Sequence, residues 1–148
     1  MNRYNIHFAT AIHAHFVAMI AALYRIYETR GDTHNFKTLL SAIARSHGPA
    51  SISPFQSQFR NLKPIWLKVA RLRNEAFGHR SSSASIQEVF ASVQVTPNEF
   101  RGLIEGTRKL LNSISSQFDS STHAFNTGAR EDTMRLLEDL KAAGSSVT

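Results

Sequence analysis

Thr96-Pro97-Asn98-Glu99-Phe100-Arg101-Gly102-Leu103-Ile104-Glu105-Gly106-Thr107-Arg108-Lys109-Leu110-Leu111 opens with the chemistry of a helix start and continues with the spacing of a helix. Thr96 offers a side-chain oxygen to the first free amides. Pro97 needs no amide partner at the first helical position, and Glu99 stands three residues after Thr96, where a capping box requires it. From there Phe100, Leu103, Ile104, Thr107, Leu110, Leu111, Ile114 and Phe118 recur at three- and four-residue steps, which predicts one long helix with a single buried stripe. No segment alternates with the period of two that a half-buried strand needs, and no internal repeat is present.

Upstream, the same periodicity predicts further helices. Ile6, Ala9, Ile12, Phe16, Ile20, Leu23 and Tyr27 give a first helix over about Asn5 to Thr29, ended by Gly31. Asp32 or Thr33 is placed to cap a second helix, which turns Phe36, Leu39, Leu40, Ile43 and Ala44 inward and stops at Gly48-Pro49. A third helical region after Ser53-Pro54 carries Ile65, Trp66, Val69, Leu72 and Phe77 on its buried side. Pro64 lacks an amide hydrogen and restricts the residue before it, so a break or kink is expected there. Gly78 suits the helix end.

Ser81-Ser82-Ser83-Ala84-Ser85 reads as a linker, and Ser85 with Glu88 as a capping box for a brief helix over Ile86 to Phe90. A last helix, about Ala129 to Ala143, puts Met134, Leu137 and Leu140 on one face and acidic residues opposite. The expected fold is all-α, an antiparallel bundle of four main helices with additional short helices. Residues 1–143 are expected to form one domain and 144–148 a frayed tail.

The composition narrows the chemistry. With no cysteine among 148 residues, disulfides, thiolate metal sites and cysteine nucleophiles are excluded, which is compatible with a cytoplasmic location. The formal net charge is +6, and twelve of the seventeen basic residues are arginine, whose planar fork suits phosphate. Between Arg60 and Arg80 stand six basic residues (Arg60, Lys63, Lys68, Arg71, Arg73, Arg80) against the single acid Glu75. From Tyr4 to Tyr24 there is no Asp, Glu, Lys or Arg, a length that suffices to cross a bilayer. That run contains Asn5, His7, Thr10, His13 and His15, and it lacks a cleavage site, so a buried helix is expected and not a membrane span or signal peptide.

The chemistry concentrates in Arg71-Leu72-Arg73-Asn74-Glu75-Ala76-Phe77-Gly78-His79-Arg80. The bland reading is a basic helix that happens to end in a histidine. The spacing of an Arg, a polar residue and a His five residues further on, set after two amphipathic helices and before a short helix and a long capped one, resembles the HEPN superfamily, in particular its AbiU-like abortive-infection branch. In that resemblance Arg73 takes the Arg position, Asn74 the polar position and His79 the His position, over roughly Phe8 to Phe118.

The resemblance implies metal-independent cleavage of RNA by an endoribonuclease of the toxin–antitoxin or antiviral-defence type, with no cofactor. The residue types suit that reaction. A ribose 2′-hydroxyl attacks the neighbouring phosphate, a histidine moves protons near neutral pH, and an arginine holds the non-bridging oxygens as charge builds. Asn74 orients the histidine or donates to phosphate, while Lys68, Arg71 and Arg80 are candidates for binding the RNA. On an uninterrupted α-helix six residues turn about 600°, leaving Arg73 and His79 about 120° apart. Either the chain turns at Gly78 or a second molecule completes the site. The resemblance implies the second, a homodimer with its interface near this segment, and a cognate antitoxin as a further partner. No membrane partner is expected. The alternative is a non-catalytic helical module that binds RNA, nucleotide or protein through the same basic face.

Elsewhere the residues carry less. His13 and His15, two apart, face away from each other on a helix, and His7, His34, His47 and His123 have no ligand spacing with nearby acids. No metal site is expected. Trp66 belongs to the core, and Glu75 pairs with Arg71 or Arg80.

Overall fold

The start signal at Thr96 forms in full. The Thr96 hydroxyl accepts from the Glu99 amide at 3.2 Å, and Glu99 Oε2 accepts from the Thr96 amide at 2.7 Å. The computed structural model describes residues 5–78, 86–125 and 128–145. In chain order its helices are α1 (Asn5–Tyr27), α2 (Phe36–His47), α3 (Ser53–Leu72), α4 (Ile86–Val93), α5 (Pro97–Phe118) and α6 (Ala129–Ser145). A 3₁₀ turn covers Pro49–Ile52 and a π-helix covers Arg73–Gly78. The protein is all-α, with no strand among the described residues.

The expected stripes meet in one core. Ile20, Leu23 and Tyr27 of α1 and Phe36, Leu40 and Ile43 of α2 pack with Phe55, Val69 and Leu72 of α3, Val89 and Val93 of α4, and Phe100, Leu103, Leu110 and Ile114 of α5. α3 runs antiparallel to α5, since Lys68 meets Glu99 near one end and Phe55 meets Phe118 at the other. It also runs antiparallel to α1, because Tyr27 stacks on Phe59 and Tyr24 on Trp66. α1 and α5 run side by side in one direction, Phe16 against Phe100 and Tyr27 against Thr107. At Gly106 a Cβ would collide with the Leu62 side chain, so glycine lets α3 and α5 approach closely.

Several expectations need correction. The second helix is capped by Asn35, not by Asp32 or Thr33. Asn35 Oδ1 accepts from the Thr38 amide at 2.9 Å and Thr38 Oγ1 accepts from the Asn35 amide at 3.1 Å. Asp32 is instead held by Arg30 through two hydrogen bonds of 3.0 and 2.6 Å. Pro64 does not end α3. It sits on an exposed face beside exposed Arg60, whose carbonyl loses an amide partner at little cost in water, while Leu62, Ile65 and Trp66 hold both halves against the core. Leu39 and Ile104, assigned to stripes, are exposed.

α1 departs most from expectation. One face of its second half is buried through Ile20, Leu23 and Tyr27, but Ile6 (85% exposed), Ile12 (69%) and Phe8 project past Phe16, which packs on Phe90 and Phe100. The helix is long and apolar enough, by length and composition, to cross a membrane. Its stripe of Phe8, Ile12, Phe16 and Met19 therefore runs from open solvent into the bundle. α6 includes Gly144 and Ser145 and is exposed along its length, with Met134, Leu136, Leu137 and Leu140 uncovered.

Candidate active site

At the C-terminal end of α3 the hydrogen-bond ladder changes. From Arg73 to Gly78 the chain forms a π-helix, whose i→i+5 bonds widen the turn and which is frequent at functional sites. Leu72 and Ala76 are buried on either side of the change and fix this segment against the core. The expectation of a regular α-helix through Gly78 is thus corrected: the turn geometry alters at the arginine itself. α1 and α4 both touch the π-helix, so three elements frame it.

Arg73 is half-buried, and its guanidinium carbon lies 4.8 Å from the centroid of the Tyr24 ring of α1. Its Nη1 donates to Asn74 Oδ1 at 3.0 Å. Asn74 therefore orients the arginine, and its amide nitrogen is the end turned away from that bond. Among the described residues no carboxylate pairs with Arg73. Two other cations of the basic stretch, Arg71 and Lys68, are differently placed. Arg71 is bound through Nε to Glu75 Oε1 at 2.7 Å, the pairing expected for Glu75, and its Nη2 reaches Ser92 Oγ at 3.4 Å. Lys68 pairs with Glu99 and donates to the Gln94 carbonyl at 3.1 Å.

The structure thus brings Arg73 and Asn74 together and ties Lys68 and Arg71 to carboxylates. His79 and Arg80, with the linker from Ser81 to Ser85, lie outside the described residues.

The electrostatics follow from these pairings. The Lys68 ammonium and then the Thr96 amide hold the Glu99 carboxyl below the usual carboxylate range. Glu99 is therefore an anion in the structure and offsets one positive charge beside the start of α5. Arg73 has no such counter-charge among the described residues. Its five N–H donors lie in the guanidinium plane, and the contact with Tyr24 brings no negative charge to neutralise it.

A cleft of about 590 Å³ is lined by Phe16, Met19, Phe90, Val95, Pro97, Phe100, Arg101 and Ile104. A second, about 450 Å³, lies against α2 between Ile26 and Leu111. Both are apolar and neither includes Arg73. Among the described residues no group of three His, Asp or Glu side chains gathers at one point, and His13 and His15 are exposed.

Tyr24 is the residue that sequence reading missed. It lies one position beyond Leu23 of the buried stripe, and no local spacing links it to Arg73, forty-nine positions away. Only the packing of α3 on α1 makes the pair.

The HEPN family model described as AbiU2 matches residues 1–137. No curated protein and no solved structure matches the chain.

Proposed function

This chain belongs to the AbiU2 family of HEPN domains, which gives it a HEPN-type role, RNA-related or in abortive infection, and we propose that it acts as a metal-independent endoribonuclease. The observation that carries this reading is Arg73, held half-exposed over the Tyr24 ring at the start of a π-helix, with Asn74 on its edge and no carboxylate partner among the described residues. In this reading Arg73 binds the non-bridging oxygens of the scissile phosphate, and Asn74 fixes the guanidinium and donates through its amide nitrogen. His79 moves the proton. The 2′-oxygen forms a bond to phosphorus as the bond to the 5′-oxygen breaks, leaving a 2′,3′-cyclic phosphate and a 5′-hydroxyl. The proton lost by the 2′-hydroxyl goes to a base, and the leaving oxygen takes one from an acid. DNA has no such nucleophile.

One histidine per motif supplies one of these two proton roles, so the reading includes a homodimer. Charge supports where it forms. A molecule of net charge +6 pairs with its own copy most cheaply through a surface without charges. The exposed half of α1 is such a surface. It leads directly into the apolar cleft at Phe16, Met19 and Phe100, at the end of the bundle that carries α4 and the start of α5. We place this enzyme in the cytoplasm as the toxin or defence component, restrained by a cognate antitoxin.

The test is cleavage of mixed RNA by purified protein in EDTA. The wild type is expected to cut, and Arg73→Ala and His79→Ala each to lose on the order of 100-fold or more, the scale of removing a charge-stabilising group, with unchanged helical circular dichroism. Cutting that survives in both variants, or that EDTA abolishes, sinks the proposal. RNA binding without cleavage, lost at high salt, supports the non-catalytic binding module instead.

A further inference from the structure

We infer that Tyr24 is a positioning residue for Arg73: its ring clamps the guanidinium so that the fork is already aimed when charge builds on phosphate. The inference rests on the nuclease reading and adds a residue from a different helix to it.

The geometry has three parts. The guanidinium carbon stands 4.8 Å from the Tyr24 centroid, inside the roughly 6 Å reach of a cation–π contact. The Tyr24 ring is itself backed by Trp66, with centroids 6.3 Å apart and planes 29° from parallel, and Trp66 packs against the core. Asn74 Oδ1 takes one N–H of the guanidinium edge at 3.0 Å. A long side chain with many rotamers is thereby held against an aromatic ring and, on one edge, by an amide. The remaining in-plane donors keep a fixed direction. An arginine held this way loses less orientational freedom when the phosphate becomes a transition state, which is what preorganisation means for rate. A lysine at position 73 has neither a planar face to stack nor a fork to aim.

The ring is also the reason that Arg73 does not need a carboxylate to hold it. Arg71 and Lys68 are fixed by Glu75 and Glu99, which lowers their net charge towards an anion. Tyr24 fixes Arg73 and leaves its charge intact. An aromatic hold suits a group whose task is to bind an anion.

The experiment compares Tyr24→Phe and Tyr24→Leu in the full chain. Against an RNA oligonucleotide, Tyr24→Leu is expected to lower kcat about tenfold, equivalent to roughly 1.4 kcal/mol, with KM changed less than about twofold. Tyr24→Phe keeps the ring and is expected to stay within about twofold of wild type. In an Arg73→Ala background Tyr24→Leu is expected to add no further loss, which a merely structural role would not produce.

A readout independent of activity is the Arg73 Nε–Hε resonance. It is expected upfield in the wild type and in Tyr24→Phe, and at its ordinary position in Tyr24→Leu. Wild-type kcat in Tyr24→Leu, or an equal loss in Tyr24→Phe, overturns the positioning role. A wild type that shows the upfield resonance but cuts no RNA overturns the nuclease reading and upholds the clamp. An ordinary resonance in the wild type overturns the clamp whatever the activity.

Discussion

Tyr27 is the residue through which the core and the site wall are joined. Its ring packs on Phe36, Phe59 and Trp66, and its hydroxyl lies 2.7 Å from Thr107 Oγ1 in the buried interior. Thr107 has one hydroxyl hydrogen and gives it to the Leu103 carbonyl at 2.6 Å, so Tyr27 is the donor in the pair. Burial pushes the Tyr27 hydroxyl above its ordinary pKa. Because the folded-state value is raised, this contribution is complete below the ordinary tyrosine range and is lost as pH climbs above it. Thr107→Val strands the buried Tyr27 hydroxyl and is expected to cost about 1–3 kcal/mol in urea unfolding. Tyr27→Phe leaves Thr107 bonded to Leu103 and is expected to cost about 1 kcal/mol. Equal costs would show that the donor assignment is wrong. None of this was legible in the sequence, where Thr107 read only as a position on an apolar stripe; its hydroxyl partner lies eighty positions away.

At the scale of elements, what is local was legible and what depends on contact was not. The Thr96 box reads correctly because every atom of it lies within four residues. The Asn35 box is as local, yet Asp32 and Thr33 were equally good candidates until Arg30 claimed Asp32. Pro64 follows a strong local rule that packing on both sides overrides. The π-helix has no signal in the local spacing, because Leu72 and Ala76 stand four apart, as on the buried face of a regular α-helix. Thr96→Ala is expected to destabilise the protein by about 1 kcal/mol in thermal or urea unfolding.

Glu99 adds a pH dependence. Its folded-state pKa is depressed, first by Lys68, so its contribution is present above the ordinary carboxylate range and is lost as pH falls through the depressed value. Glu99→Gln is expected to flatten that acid limb of the stability profile. An unchanged limb would show that the Lys68 pair is not felt in solution.

For the whole molecule, hydrophobic patterning gave the all-α class, and the same patterning overstated burial because it does not say which stripes find a partner. The stripe of α1 is continuous in sequence, but the bundle covers only its second half. A homodimer covering the rest is expected to show twice the chain mass in sedimentation equilibrium. Ile12→Asp is expected to return it to the monomer mass without lowering stability of the monomer fold, because Ile12 makes no core contact to lose. A wild type that is monomeric and fully active contradicts the dimeric cleft.

The central claim is that Arg73 and His79 act together on a phosphodiester whose own ribose supplies the nucleophile. It is tested most directly with an oligoribonucleotide carrying one mapped cut site, remade with a 2′-deoxyribose on the 5′ side of the scissile phosphate. Cleavage at that bond is expected to stop while binding persists, and the natural substrate is expected to yield a 2′,3′-cyclic phosphate. Undiminished cutting of the deoxy substrate, or products ending in a 3′-hydroxyl and a 5′-phosphate, would contradict it.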